Sequence, residues 1–360
     1  MKTQIQKLTL LFTLFLAVAI SGCNKDDSPP APIPDYTSAE DYLKELGFTG
    51  SVLIRKGNTD LLRTGFGMAD KVNNTPNAPM LIYRIGSITK SFTSAALVNL
   101  KRDGLIESFD QPLSDFSDDF PMGDQITLRH LMTHHSGIPD YVEAVEAYAA
   151  ANNYFFEPEE IFEIVTEALE EEGLKFTPGE FFEYSNSNYL ILGVLIEELT
   201  GKTYQGYLQE KIYGPLDLIN TGKGPDQIMD NNRAKGYNAD SEVGAYQMQI
   251  AFSAGEMEST IADLEKWGDM MLTDYYTAQE KQDIFSAPAG QEGVSTAGAG
   301  WFTQNINNQV IYHHGGDIDG FTSLLVLIPE SNSLIILLSN EQNKGEERFQ
   351  IMETIMNNEF

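Results

Sequence analysis

Ser87 and Lys90, three residues apart, are the first pair in this sequence whose types and spacing suit covalent chemistry. At that spacing in a helix the two side chains share one face. A partly desolvated lysine amine has a lowered pKa and can accept the proton of a serine hydroxyl, which makes the serine a nucleophile. Gly86 is the predicted hinge between a loop and the helix that follows. The free N–H groups of the first helical turn would face an oxygen on which negative charge develops, as in acyl transfer.

The helix that must position this pair is predicted to be buried. Residues 91–100 carry no charge and leave little polar surface. Lys101 and Arg102 suit the negative C-terminal end of that helix, and Gly104 is the predicted cap. Roughly one Ser-x-x-Lys match is expected by chance in a chain of this composition. The motif therefore needs support from the rest of the sequence.

Tyr184 and Asn186 form a second candidate motif, in a predicted loop just before another apolar helix over about 188–199. A tyrosine beside a basic amine can ionise in part and act first as general base and then as general acid. The Asn186 amide would orient a substrate carbonyl or hold Lys90 by a hydrogen bond. The alternative is a packed tyrosine followed by a helix cap, because Tyr-x-Asn alone is close to a chance match.

A third candidate is the run His313-His314-Gly315-Gly316-Asp317, which lies where a strand should pass beside a cleft. Glycines within a strand indicate a bulge or the close approach of another backbone, and a substrate is one candidate for that backbone. The N–H of Asp317 would pair with the N–H of Ser87 as the second donor to an oxyanion.

Three histidines suggest a metal site, but the pattern around them favours a structural role. His130 and His134 are one helical turn apart, and His135 follows. Leu131 stands where a zinc protease would have a glutamate, and no third ligand is evident nearby. We therefore predict no metal site, and nothing in the sequence calls for another cofactor.

The amino terminus predicts export and lipid anchoring. Lys2 and Lys7 precede an apolar run over residues 8–20, which is too short to span a bilayer comfortably and is typical of a secretory signal. Cys23, the only cysteine, follows small residues in a run that resembles a bacterial lipobox, in which the cysteine is lipidated. A plain signal peptide followed by an incidental cysteine is the alternative. The expected location is the cell envelope, on the periplasmic side or at the outer-membrane surface.

Composition limits the other partners. The formal net charge of −30 disfavours nucleic acid and charge-driven membrane binding, because phosphate groups are repelled. Nothing in the sequence predicts an oligomeric state. We divide the chain into a signal peptide over residues 1–22, a flexible tether over 23–36 and one folded domain over 37–360.

The folded domain is predicted to be α+β. A helix that starts at a capping box at Ser38 and runs through Leu46, where Gly47 stops it, comes first. A hairpin of strands over 50–55 and 61–66 follows, and the middle is mostly helical, with one helix over about 159–171. Further strands are predicted over 300–304, 310–314, 321–328 and 334–338, then a helix over about 346–356. This order predicts one antiparallel sheet from both chain ends, about 37–85 and 290–360, with a helical insertion over about 86–289.

The three motifs occur in the order Ser-x-x-Lys, Tyr-x-Asn and His-x-Gly, and the sequence around them is similar to one family. The chain resembles the serine β-lactamase-like family, in the branch that contains class C β-lactamases, DD-peptidases and esterases. The resemblance extends from Phe48 to Leu338 and includes residues 48–52, 83–90, 128–137, 178–180, 184–189, 255–264 and 300–301.

The resemblance implies a β-lactamase/transpeptidase-like fold and a covalent acyl-enzyme mechanism. Ser87 would attack a carbonyl, Lys90 and Tyr184 would transfer the proton, and water would release the acyl group. Asn186 would position a small-molecule or peptide substrate. His314, rather than His313, aligns with the third motif of the family.

One departure from the family bears on the substrate. The β-lactamases usually carry lysine where this chain has His314, which is mostly neutral near pH 7. Asp317 would place a carboxylate beside the spot that binds a substrate carboxylate, unless its side chain points away. We therefore expect neutral esters or amides to be better substrates than penicillins or peptide carboxylates. The alternatives are a DD-carboxypeptidase, a β-lactamase, and a non-catalytic penicillin-binding-like surface protein.

Overall fold

The computed structural model describes residues 37–117, 119–286 and 295–360. The predicted signal peptide, the lipidation site at Cys23, the tether and the boundary near residue 289 lie outside the described residues. Within these ranges, no helix is both long enough and apolar enough to cross a membrane.

The strands of the described residues fall into one large sheet and three small ones. They are β1 (Gly50–Lys56), β2 (Thr59–Phe66), β3 (Met68–Asp70), β4 (Thr75–Pro76), β5 (Tyr83–Arg84), β6 (Gly222–Lys223), β7 (Tyr237–Asn238), β8 (Ser241–Glu242), β9 (Met257–Ser259), β10 (Ser295–Ala297), β11 (Phe302–Ile306), β12 (Gln309–Ile318), β13 (Phe321–Ile328) and β14 (Ser333–Ser339).

The helices lie at the two ends of the described chain and in the long middle segment. They are α1 (Ala39–Leu46), α2 (Thr89–Arg102), α3 (Leu128–Met132), α4 (Val142–Asn152), α5 (Pro158–Glu172), α6 (Asn186–Thr200), α7 (Tyr204–Leu208), α8 (Gly214–Leu216), α9 (Met248–Gly255), α10 (Ile261–Leu272), α11 (Ala278–Phe285) and α12 (Gly345–Glu359).

The large sheet is antiparallel and has seven strands in the order β10-β11-β12-β13-β14-β1-β2. Within it β1 pairs with β14, so that Val52 lies opposite Leu337. The first and last strands of the chain therefore meet side by side. This confirms the predicted α+β class with one antiparallel sheet made from both chain ends.

Both faces of the sheet are covered, and the strands β13 and β14 are buried along their whole length. On one face α1 and α12 pack against side chains such as Val52 and Leu324. On the other face Leu53 and Leu325 belong to the larger core that continues into the helical region. The helix α2 lies inside that core and is buried from Thr89 to Leu100, as its uncharged sequence predicts.

The structure differs from the sequence-based boundaries in three places near the site. The helix α6 begins at Asn186 rather than near 188, so this residue lies in its first turn. The strand β12 continues through its glycines to Ile318 instead of ending at His314. The helical region also contains a small sheet of β5, β9 and β6, whose strands are too short to show a periodic pattern.

Candidate active site

Ser87 lies in the tight turn that leads from β5 into α2. The residues Gly86–Ile88 form a 3-10 turn, and Thr89 begins the helix. Gly86 has a φ of +50°, and a Cβ atom at this position would lie 2.9 Å from the backbone nitrogen of Asp317. Glycine is therefore required both for the turn and for the direct packing of Ser87's loop against β12.

Lys90 lies one turn further along, fully buried beneath the serine. Its Nζ atom is 3.0 Å from Ser87 Oγ, 2.8 Å from Asn186 Oδ1 and 2.7 Å from the carbonyl oxygen of Ala254. Burial lowers the pKa of the amine to about 7, although the negative charge of Asp140 acts in the opposite direction. At neutral pH the neutral and charged forms of Lys90 are therefore comparable in population.

The three contacts of Lys90 suit a base that alternates between these two forms. An ammonium has three hydrogens, and the three oxygen neighbours accept one each. A neutral amine has two hydrogens, which Asn186 and Ala254 can accept. Its lone pair then points at the Ser87 hydroxyl, which is the geometry that a general base needs.

Tyr184 completes the polar contacts of the nucleophile. Its hydroxyl forms a hydrogen bond with Ser87, and Lys90 Nζ lies 4.9 Å from the centre of its ring. Burial raises the pKa of the phenol, and the hydrogen bond with Ser87 lowers it only in part. The phenol therefore stays protonated at neutral pH. This differs from the partial ionisation expected from the sequence, because burial of the phenol outweighs the effect of its neighbours.

The histidines that suggested a metal have other contacts. The His134 ring stacks on Tyr184, with centroids 4.3 Å apart, and its Nδ1 accepts the Ser185 N–H at 3.2 Å. His130 and Thr127 form a capping box at the start of α3. Within the ranges that the structure covers, no three His, Cys, Asp or Glu side chains are grouped so that they could hold a metal ion.

Asp140, which no sequence pattern indicated as a site residue, contacts Asn186 of the Tyr-x-Asn motif. Its Oδ2 accepts hydrogen bonds from both the backbone N and the Nδ2 of Asn186, each at 2.7 Å. Its Oδ1 accepts from the Val142 N–H at 2.8 Å. In the sequence Asp140 only precedes a helix, which is a position that usually indicates a cap. No local pattern connects it with a residue more than forty positions away.

The third motif places His314 on the side of Tyr184. The two rings are 6.4 Å apart, whereas the neighbouring His313 contacts Phe349 of α12. Burial lowers the pKa of His314 to about 3, so the ring is neutral. Gly316 packs so closely that a Cβ atom there would lie 1.9 Å from the carbonyl oxygen of Ile85. Because it has no side chain, Gly316 allows β12 to pack directly against the turn that carries Ser87.

The carboxylate of Asp317 has a cationic partner, which the sequence did not indicate. It forms an ion pair of 2.7 Å with Arg348 of α12. Arg348 also donates a hydrogen bond to the carbonyl oxygen of Gly316. Arg348 thus balances part of the charge of Asp317, whose side chain is 54% exposed. The ion pair weakens the repulsion that the sequence predicts between this carboxylate and a substrate carboxylate.

A cleft of about 530 Å³ opens at Ser87 and Asn186. Its charged lining residues, among those that the structure describes, are Glu146, Asp317 and Asp319, which are all acidic. The Tyr246 hydroxyl donates to Glu146 at 2.7 Å. Burial raises the pKa of both Glu146 and Asp319. The cleft therefore combines a nucleophile with negative rather than positive side chains.

Comparison with known proteins gives the same architecture. The family model described as Beta-lactamase matches residues 39–354. The putative penicillin-binding protein PbpX of Bacillus subtilis is 27% identical over 309 residues, which cover 85% of this chain and 74% of that protein. Protein flp of Staphylococcus aureus is 29% identical over 304 residues, which cover 81% of this chain but only 59% of flp.

A solved structure shares the fold at lower identity. The D-amino acid amidase of Ochrobactrum anthropi SV3 superposes with a TM-score of 0.74 and is 24% identical, over 89% of this chain and 97% of the amidase chain. At this identity the likeness establishes the fold alone.

Proposed function

The chain belongs to the beta-lactamase family and is a serine hydrolase that acts through an acyl-enzyme, and from this premise we propose that Ser87 is the residue acylated. The observation that carries the proposal is the contact of 3.0 Å between Ser87 Oγ and the buried amine of Lys90. A neutral amine at that distance can remove the hydroxyl proton as the oxygen attacks.

In the acylation step, Ser87 Oγ forms a bond with the substrate carbonyl carbon while its proton passes to Lys90 Nζ. The carbonyl oxygen becomes an oxyanion, which the N–H groups of Ser87 and Asp317 stabilise. The contact of Gly86 with the backbone of Asp317 supports this pairing, because it brings the two segments together. The bond to the leaving group then breaks, and the leaving group takes a proton from the Tyr184 hydroxyl.

Tyr184 regains its proton from the ammonium of Lys90, which returns both groups to their starting forms. In deacylation, water attacks the acyl carbon and gives its proton to the same pair of residues. Ser87 leaves with a proton and the acid product dissociates. Asn186 serves throughout as an acceptor for Lys90 and as a partner for the substrate.

We further propose that the acyl group is neutral or cationic. Glu146 and Asp319 line the cleft, and His314 carries no charge. An anionic acyl group would meet like charges, and the described residues that line the cleft include no Lys or Arg to bind it. Amino acid amides, which carry an ammonium group, fit this charge pattern, and one structural relative is named as a D-amino acid amidase. Carboxypeptidase and β-lactamase substrates, which carry a carboxylate, are expected to react more slowly.

The test is turnover of three p-nitroanilides of one amino acid, with a free, an acetylated or a succinylated amine. We expect rates in that order, and the Ser87→Ala variant should lose about a thousandfold or more. The Glu146→Gln variant should reduce the difference in turnover rate between the substrate with a free amine and the acetylated one. Faster turnover of the succinylated substrate, or of nitrocefin, would contradict the charge preference. A wild-type protein that turns over none of these substrates and resists fluorophosphonates would favour a non-catalytic binding protein.

We also propose that the protein is exported and held in the cell envelope by a lipid on Cys23. The support is the small-residue run before the only cysteine. Metabolic labelling with a radioactive fatty acid, followed by separation of membrane and soluble fractions, tests this proposal. Wild type should be labelled and membrane-bound, whereas Cys23→Ser should be neither. Equal labelling of the two proteins would refute the anchor.

A further inference from the structure

One carboxylate, that of Asp140, holds both amide groups of the residue that contacts Lys90. The two hydrogen bonds from Asn186 N and Nδ2 converge on the same Oδ2 atom, each at 2.7 Å. Both bonds have a charged acceptor, and such bonds are stronger than those between neutral groups. The start of α6 and the side chain of Asn186 are therefore fixed at a single point.

This contact also sets which end of the Asn186 amide faces Lys90. Because Nδ2 donates to Asp140, Oδ1 is directed to Lys90 Nζ, at 2.8 Å. A flipped amide would bring its oxygen against the carboxylate and its NH₂ group against the amine. Both of those contacts are repulsive or unsatisfied. The carboxylate thus selects the one orientation in which Asn186 accepts from the lysine.

We infer that Asp140 is a positioning residue of this hydrolase, which acts through Asn186 to orient the Lys90 amine toward Ser87. The inference rests on the proposed function, because it assigns a role within that mechanism. Asp140 itself does not touch the nucleophile. Its effect depends on two successive contacts, from Asp140 to Asn186 and from Asn186 to Lys90.

The charge of Asp140 adds an effect that a purely structural residue would lack. It raises the pKa of Lys90 against the stronger opposite effect of burial. The other titratable groups around the amine are neutral near pH 7, so they supply no competing negative charge. They are Tyr184, Tyr189, His134 and His314. Removal of the Asp140 charge should therefore move the acid limb of the pH profile to lower pH.

Two variants separate the positioning role from the local turn at the start of α4. Asp140→Asn keeps the volume and removes the charge. Asp140→Ser retains a short oxygen that can accept the Val142 N–H, as Asp140 does, but cannot reach Asn186. Glu143→Gln is the matched control, because it removes an exposed carboxylate from the first turn of the same helix. The control should behave like wild type.

The experiment measures kcat, KM and the pH profile for a neutral p-nitroanilide with the full-length protein. We expect Asp140→Asn and Asp140→Ser each to lower kcat roughly 10- to 100-fold with little change in KM. The acid limb should move to lower pH in both variants. In the Asn186→Ala background, the Asp140→Asn substitution should change kcat little further, because its path to Lys90 is already broken.

Three results would overturn the inference. They are wild-type kcat in either Asp140 variant, additive losses in the double variant, and an unchanged pH profile accompanied only by a lower melting temperature. If Asp140→Asn does not fold, Asp140→Ser still decides the question. Failure of the proposed function is seen separately, as the absence of Ser87-dependent turnover in the wild-type protein.

Discussion

The pH dependence of acylation follows directly from the environment of Lys90. Burial lowers the pKa of the amine from its ordinary 10.5 to about 7. Only the neutral amine can accept the Ser87 proton, so the acylation rate should rise with pH through that value. The neutral fraction is about one-tenth at pH 6, one-half at pH 7 and nine-tenths at pH 8.

The size of the effect can be worked from the same shift. An amine with the ordinary pKa would be neutral in only about 3 of 10,000 molecules at pH 7. The buried site therefore increases the neutral fraction at pH 7 by roughly a thousandfold. The shift of the pKa from 10.5 to about 7 corresponds to about 5 kcal/mol of differential stabilisation between the two forms. This is a substantial part of what a general base contributes to a hydrolase.

The assay is the rate at which a fluorophosphonate labels the protein between pH 5.5 and 9, followed by intact mass. We expect a single acid limb with its midpoint near pH 7 and a drop of about fivefold from pH 7 to pH 6. Lys90→Met should label far more slowly and without this limb. A flat profile over pH 6–8, or a midpoint near 10, would refute the assignment of Lys90 as the base. Melting temperatures across the range exclude unfolding as the cause.

Three further predictions test other parts of the structure. Tyr184→Phe should lower turnover of a p-nitroanilide about 100-fold while the acid limb stays near pH 7, because the phenol is already protonated there; a lost limb would contradict this. Lys90→Met should reveal the cost of burying the amine, because between pH 7 and 10.5 the unfolded wild type binds one proton more than the folded wild type. The free energy of unfolding of the wild type, measured in urea, should therefore rise relative to that of the variant by about 4 kcal/mol over that range. A difference that does not grow with pH would contradict this prediction. In thermal unfolding, Gly316→Ala should destabilise the protein by about 2 kcal/mol or more, since the new Cβ would lie 1.9 Å from the Ile85 carbonyl oxygen. The control Gly244→Ala, whose new Cβ would lie in open space, should leave the stability nearly unchanged.

The sequence was sufficient for the parts of the fold that follow from local patterns. The buried helix after Ser87 has an uncharged stretch, and the β1–β2 hairpin has a turn signal at Lys56-Gly57-Asn58 between its two strands. Their bounds agree with the structure to within a few residues. The two-residue strands of the small sheet were missed, because segments of that length carry no periodicity and depend on their partners.

In the candidate site, contacts between residues that are close in sequence were predictable, whereas contacts between distant segments were not. Ser87 lies in the 3-10 turn that leads into α2 and Lys90 in the first turn of α2, so their contact could be predicted from spacing. The contact of Asp140 with Asn186 and the ion pair of Asp317 with Arg348 join distant segments. A single sequence has no signal for such pairs, so the pairing of Asp317 with Arg348 could not be predicted. The acidic lining of the cleft, with Glu146, is likewise a property of the tertiary fold.

The central claim is that one hydroxyl carries the acyl group during turnover. The most direct measurement is to quench the reaction with an activated ester after a few seconds, digest the protein and locate the added mass by tandem mass spectrometry. We expect the acyl mass on Ser87 in wild type and its absence in Ser87→Ala. An adduct on another residue, or equal labelling of the two proteins, would contradict it.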